Sequence, residues 1–211
     1  MKTSNSVVFQ PKYASFLILL KIEQGAIKIV LNKTKKAEFF PWGYPGGKEE
    51  EIDKSNFLRT AVRESDEETS LDIGLCLDKK IKLGEISRRN DNPNLPHFIN
   101  YFHLVFLKGN QIPVITDKKE SIIEVGWFNL RQAEQMELKI QHRIILIELW
   151  YVLNDLASTD PNIAKAVYGF NFEKFVRPSE NFWKLKVKPE YSELIGYFLP
   201  KHTYRMLTQN K

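Results

Sequence analysis

Residues 45–71 read PGGKEEEIDKSNFLRTAVRESDEETSL, a glycine pair opening onto a dense acidic stretch. Within it Phe57, Leu58, Ala61 and Val62 recur at helical spacing, and Asp53 or Ser55 is placed to cap the N-terminus. This loop-then-helix unit is framed by strand-like segments. Residues 13–22 and 26–32 are aliphatic and β-branched runs split by Gln24-Gly25, a hairpin signal. Residues 83–88, 98–108 and 124–130 are further strand candidates ending near Gly, Pro or Asn. A second helix is expected over 141–156, where Ile145, Leu149, Val152 and Leu156 form an apolar stripe. The resulting order, ββαβββα, predicts an α/β or α+β layered fold.

The chain has 211 residues, enough for one domain with a full core plus a shorter appendage. The expected division is a domain over 1–157 and an extension over 158–211 that packs on it. The boundary falls at Ser158-Thr159-Asp160-Pro161-Asn162, a polar, proline-containing connector. Beyond it Phe170, Phe172, Phe175, Phe182 and Trp183 alternate with Lys174, Arg177, Lys184, Lys186 and Lys188. Of the formal net charge of +5, most arises from residue 160 onward, where nine Lys and Arg face five Asp and Glu. Cys76 is the single cysteine, which excludes an internal disulfide and a cysteine-rich zinc site. The longest apolar run is too short to span a bilayer, so a cytoplasmic protein without membrane contact is expected.

The acids have a chemical reading. Glu64, Glu67 and Glu68 stand at i, i+3 and i+4, so one helix face carries all three. Like charges at these spacings cost a few tenths of a kcal/mol per pair unless a cation neutralises them. Arg63 pairs with Glu67 at i+4 but cannot satisfy every acid. A divalent cation such as Mg²⁺ or Mn²⁺ can, because hard oxygen donors suit it and substrate phosphates complete its shell. The glycines allow close backbone approach, and Lys48 supplies a compact charge against phosphate. Arg88 and Arg89, before the 90–96 loop, are further phosphate-binding candidates.

The stretch resembles the Nudix box, G-x5-E-x7-R-E-U-x-E-E-x-G-U, where U is aliphatic. Arg63-Glu64, Glu67-Glu68 and Leu71 match it, with Gly47 as the opening glycine. Trp42-Gly43-Tyr44-Pro45-Gly46-Gly47-Lys48 is similar to the family's lead-in, and Glu124-Val125-Gly126-Trp127-Phe128 to its late strand. The resemblance, over about residues 13–156, implies a Nudix-like α/β/α sandwich with a mixed sheet and hydrolysis of a diphosphate linkage using Mg²⁺ or Mn²⁺. It implies that Gly47 gives a carbonyl to metal and that Glu64, Glu67 and Glu68 act as ligands or base. Arg63 would orient them, and Glu120 lies where many members place an extra acid as base or ligand.

Three departures stand out. The segment from Gly47 to Arg63 is two residues longer than the pattern, so counting back from Arg63 lands on Ser55 rather than a glutamate, and Asp53 or Glu51 is the candidate substitute. Ser65 replaces an aliphatic residue. Ser70 replaces the glycine that takes the left-handed C-cap, so the helix is expected to end differently or run on toward Gly74. The implied partner is a small-molecule nucleoside diphosphate derivative such as ADP-ribose, a dinucleoside polyphosphate or a nucleotide sugar. The basic aromatic extension leaves RNA open as a partner, through cap or 5′-diphosphate hydrolysis, and the altered box leaves open a non-catalytic binding module. Phe98, Tyr101, Phe102 and Phe106 read as core of a strand, and the four histidines receive no role.

Overall fold

The computed structural model describes residues 11–35, 41–88, 98–116 and 121–168. Two long strands, β1 (Lys12–Glu23) and β2 (Ala26–Thr34), form a hairpin whose turn places Gln24 and Gly25 at positive φ. After the short strands β3 (Trp42–Gly43) and β4 (Gly46–Lys48) and a 3-10 turn at Glu51–Asp53 comes helix α1 (Phe57–Thr69). Strands β5 (Ile81–Arg88), β6 (Phe98–Phe106) and β7 (Ile122–Asn129) follow, then helices α2 (Leu130–Gln135), α3 (Ile140–Ala157) and α4 (Pro161–Val167).

Among the described residues these strands form one mixed sheet in the order β3-β2-β1-β6-β5, with β4 added to β1 and β7 to β2. The β1–β6 pair is parallel and the other pairs are antiparallel. Because strand side chains alternate, the two faces of β1 feed two cores. Leu17 and Leu19 join Val30, Ala61, Leu71 and Val105 beneath α1. Ile18 and Leu20 join Ile29, Leu31, Phe102, Leu104, Ile145, Leu149 and Trp150 beneath α3. The architecture is therefore the expected α/β/α sandwich. Each fully buried aliphatic side chain contributes about 1.5–3 kcal/mol, so the central hairpin is held from both sides.

The differences from the sequence reading are local. Helix α1 is capped by Asn56, whose side chain accepts from the Arg59 N–H at 3.1 Å, and not by Asp53 or Ser55. It stops at Thr69 and does not continue toward Gly74: Ser70 itself adopts the left-handed conformation (φ 53°), and its N–H donates to the Asp66 carbonyl. Ser65 does face the core, fully buried, with its hydroxyl lacking a hydrogen-bond partner among the described residues. Past residue 157, Asp160 caps α4, and Ile163 and Val167 insert into the α3-side core. Arg89, Glu120 and the basic aromatic segment after 168, for which the sequence raises expectations, lie outside the described residues, as does the side chain of Arg88. No described helix is long and apolar enough to cross a membrane.

Candidate active site

Strand β4 pins the glycine loop to β1, with Ser15 opposite Gly47 and Phe16 opposite Gly46. The approach is close. Gly46 has φ +143°, and a Cβ there would lie 2.3 Å from the Ser15 carbonyl oxygen. A Cβ on Gly47 would lie 2.2 Å from Oε2 of Glu64. Both positions require glycine, the first by conformation and backbone contact, the second because the Glu64 carboxylate occupies the space.

Arg63 organises the acids. Its Nη2 lies 2.9 Å from Asp53 Oδ2 and 3.0 Å from Glu64 Oε1, its Nη1 lies 3.3 Å from Glu67 Oε1, and its Nε donates to Asp53 Oδ1 at 3.1 Å. Nη2 also donates to the Lys48 carbonyl at 3.2 Å, tying the helix to the loop. The Asp53 side chain is fully covered, and the Arg63 guanidinium holds its carboxyl down at about 2. Asp53 in turn raises the already high pKa of Arg63.

This answers the length anomaly in the box. Lys54 and Ser55 both take left-handed conformations, at φ 51° and 57°, so the two extra residues are absorbed in a tight reversal. Ser55, where counting placed the missing glutamate, is exposed, while Asp53 turns inward to Arg63.

Glu68 is fixed by two donors on one oxygen. Its Oε2 accepts from the Gly46 N–H at 2.9 Å and from Asn32 Nδ2 at 2.7 Å. Two bonds to one oxygen orient the carboxylate. Glu67, with half of its side chain exposed, lies at the rim. Lys48 is exposed, with its ammonium 5.7 Å from the Phe98 ring centroid.

Two residues of the loop's support were not legible beforehand. Asn32 ends an apolar run, and its polarity there is the only hint of its bond to Glu68. His142 is buried on α3, accepts from the Tyr44 N–H through Nδ1 at 2.8 Å, and is ringed by Phe16, Tyr44 and Phe102. Burial, helped by the charge of Lys139, holds its pKa well below the usual value, so the ring is neutral and Nδ1 is free to accept. The Tyr44 hydroxyl donates back to the His142 carbonyl at 2.9 Å. The residue just before the glycine loop is thus clamped onto α3. Of the aromatic strand, Phe102 is core, while Tyr101 stacks on Phe57 at 4.0 Å.

Among the described residues no three acidic, histidine or cysteine side chains already converge on one point as a closed metal cage. An open site is what Mg²⁺ commonly takes, with one or two carboxylates, waters and substrate phosphates. Glu64 pressed against Gly47 and Glu68 anchored beside Gly46 fit that requirement.

The NUDIX domain family model matches residues 11–149, and the chain belongs to this family of pyrophosphohydrolases. Members of the family generally need divalent metal ions. Solved structures share the fold. The NUDIX domain of Shewanella oneidensis NrtR complexed with ADP ribose is 19% identical with a TM-score of 0.57, covering 68% of this chain and 89% of that one. A MutT/nudix family protein from Enterococcus faecalis is 19% identical with a TM-score of 0.58, covering 95% of this chain and 81% of that one. A C. elegans Ap4A hydrolase in a binary complex is 14% identical with a TM-score of 0.54, covering 68% and 98%. No curated protein sequence matches the chain closely enough to establish a relationship.

Proposed function

We propose that this chain hydrolyses the diphosphate linkage of a nucleoside diphosphate joined to a second moiety, with Mg²⁺ or Mn²⁺ as the cation. The observation that carries the reading is the single guanidinium of Arg63 spanning Asp53, Glu64 and Glu67 while Glu68 is locked to Gly46. The shared fold with a domain complexed with ADP ribose and with an Ap4A hydrolase supports a substrate of this class.

Glu64 and Glu68, with the Gly47 carbonyl and Glu67 at the rim, would hold the cation. When bound, it supplies positive charge against the diphosphate and lowers the pKa of water. The chain does the rest by placement. Arg63 fixes Glu64 through Nη2, which holds that carboxylate ready to accept the proton of the attacking water. The water oxygen bonds to phosphorus, the bridging P–O bond breaks, and its electron pair leaves on the departing phosphate. Lys48 offsets phosphate charge at the open edge. Because Arg63 is shared among three acids, its role is to hold ligand geometry, where small displacements cost large factors in rate.

The test is phosphate-release turnover with Mg²⁺ over ADP-ribose, dinucleoside polyphosphates, nucleotide sugars, NADH, coenzyme A, nucleoside triphosphates, diphosphoinositol phosphates and capped RNA. Coupled pyrophosphatase and phosphatase make each cleavage visible. Metal-dependent turnover of a nucleoside diphosphate derivative, lost by orders of magnitude in Glu68→Gln, is expected. Silence across the panel from folded protein would sink the reading.

A further inference from the structure

The residue that precedes α3 is Lys139, whose side chain has no ion pair or hydrogen bond among the described residues. The Lys139 N–H donates to the Trp42 carbonyl at 2.9 Å, and its carbonyl accepts from the Arg143 N–H at 2.9 Å, so its backbone is fixed. Its stem runs over the sheet edge, with Cδ 3.4 Å from where a Cβ on Gly43 would stand. Gly43 is the register partner of Asn32, and Asn32 holds Glu68. The stem therefore lies along the border of the carboxylate site.

Lys139 is half-buried. Burial pushes its pKa down, and the charge of Glu68 acts the other way. Among the described residues Lys139 forms no ion pair and no side-chain hydrogen bond. A partly desolvated cation gains when an anion arrives beside it. Lys48, by contrast, is exposed and screened by water.

We propose that Lys139 is a substrate-binding residue, its ammonium pairing with a phosphate oxygen of the bound diphosphate at the Gly43 edge of the site. This rests on the diphosphate reading above and adds a cation from α3 that the box itself does not supply. A partly desolvated lysine exchanges little hydration when it meets phosphate, so its contribution to binding exceeds that of a surface lysine.

The experiment compares wild type, Lys139→Met and Lys139→Arg. Methionine keeps the apolar stem and removes the charge, and arginine keeps the charge. The probe is α,β-methylene-ADP, an uncleavable nucleoside diphosphate, titrated calorimetrically with Mg²⁺, and KM on any substrate turned over is the second readout. Lys139→Met is expected to bind at least about ten-fold more weakly, equivalent to about 1.4 kcal/mol, with an unchanged or raised melting temperature. Lys139→Arg is expected to recover most of the affinity. Equal affinity and equal KM in Lys139→Met would overturn the proposal while leaving the diphosphate reading intact. So would a loss accompanied by a lowered melting temperature that arginine fails to restore, which marks a purely structural lysine. Wild type that neither binds the probe nor turns over any diphosphate would remove the reading itself, and this proposal with it.

Discussion

Replacing Asp53 with Asn separates an acid that holds the site together from one that merely decorates a loop. Asp53 receives Nε and Nη2 of Arg63 and the Glu50 N–H, so the isosteric amide turns one acceptor oxygen into a donor facing donors. The carboxyl is held at about 2 against an ordinary 3.8, a difference on the order of 2–3 kcal/mol. Removing one partner of a buried pair costs about 3–5 kcal/mol. Asp53 is covered but shallow, so the lower figure, about 2–3 kcal/mol, applies. In a chain of this size that lowers the melting temperature by about 5–10 °C. The pH dependence has a definite sign. The folded-state value is depressed, so the stabilisation is complete above about pH 4 and is lost as pH falls toward about 2. Thermal scans from pH 7 to 2.5 should show this acid-side loss in wild type and a shallower one in Asp53→Asn. Turnover of the variant should fall about ten-fold or more, because Arg63 no longer holds Glu64 and Glu67 in register. A variant melting within a degree of wild type at pH 7, with unchanged turnover, would refute the assignment of Asp53 as the substitute for the box's missing glutamate.

Ser70→Gly should raise stability by about 0.5–1 kcal/mol in a denaturant titration, since glycine occupies the left-handed cap at φ 53° without steric cost, less what is lost with the Ser70–Thr116 hydroxyl contact. Gly47→Ala should leave the circular dichroism spectrum folded yet cut turnover by at least about a hundred-fold, because the methyl would overlap the Glu64 carboxylate and displace it.

The long elements were legible because their signals are dense. Strands β1 and β2 carry alternating faces that are both buried, and α3 packs Ile145, Leu149 and Trp150 into one core. Strands β3 and β4, two and three residues long and rich in glycine, have no propensity to read; they exist because their neighbours pair with them. Helix α2, six residues capped by Asn129, is too short for periodicity to register. Within the site, the spacing of Arg63, Glu64, Glu67 and Glu68 revealed the shared helix face. It did not separate Asp53 from Glu51, because that choice is made by the left-handed pair Lys54 and Ser55. Asn32, Lys139 and His142 were hidden for a different reason. Their roles depend on contacts across 36 to 98 residues of sequence, which no local pattern records.

The central claim is that the carboxylate face and the glycine loop together hold a divalent cation. Its most direct test is Mn²⁺ binding, followed by the loss of the free-ion electron paramagnetic resonance signal, in wild type, Glu68→Gln and the exposed-site control Glu51→Gln. Wild type and Glu51→Gln should bind Mn²⁺ alike, and Glu68→Gln should bind at least about ten-fold more weakly, given the 1.5–3 kcal/mol typical of a charged contact. Equal Mn²⁺ binding by all three folded proteins would contradict the account.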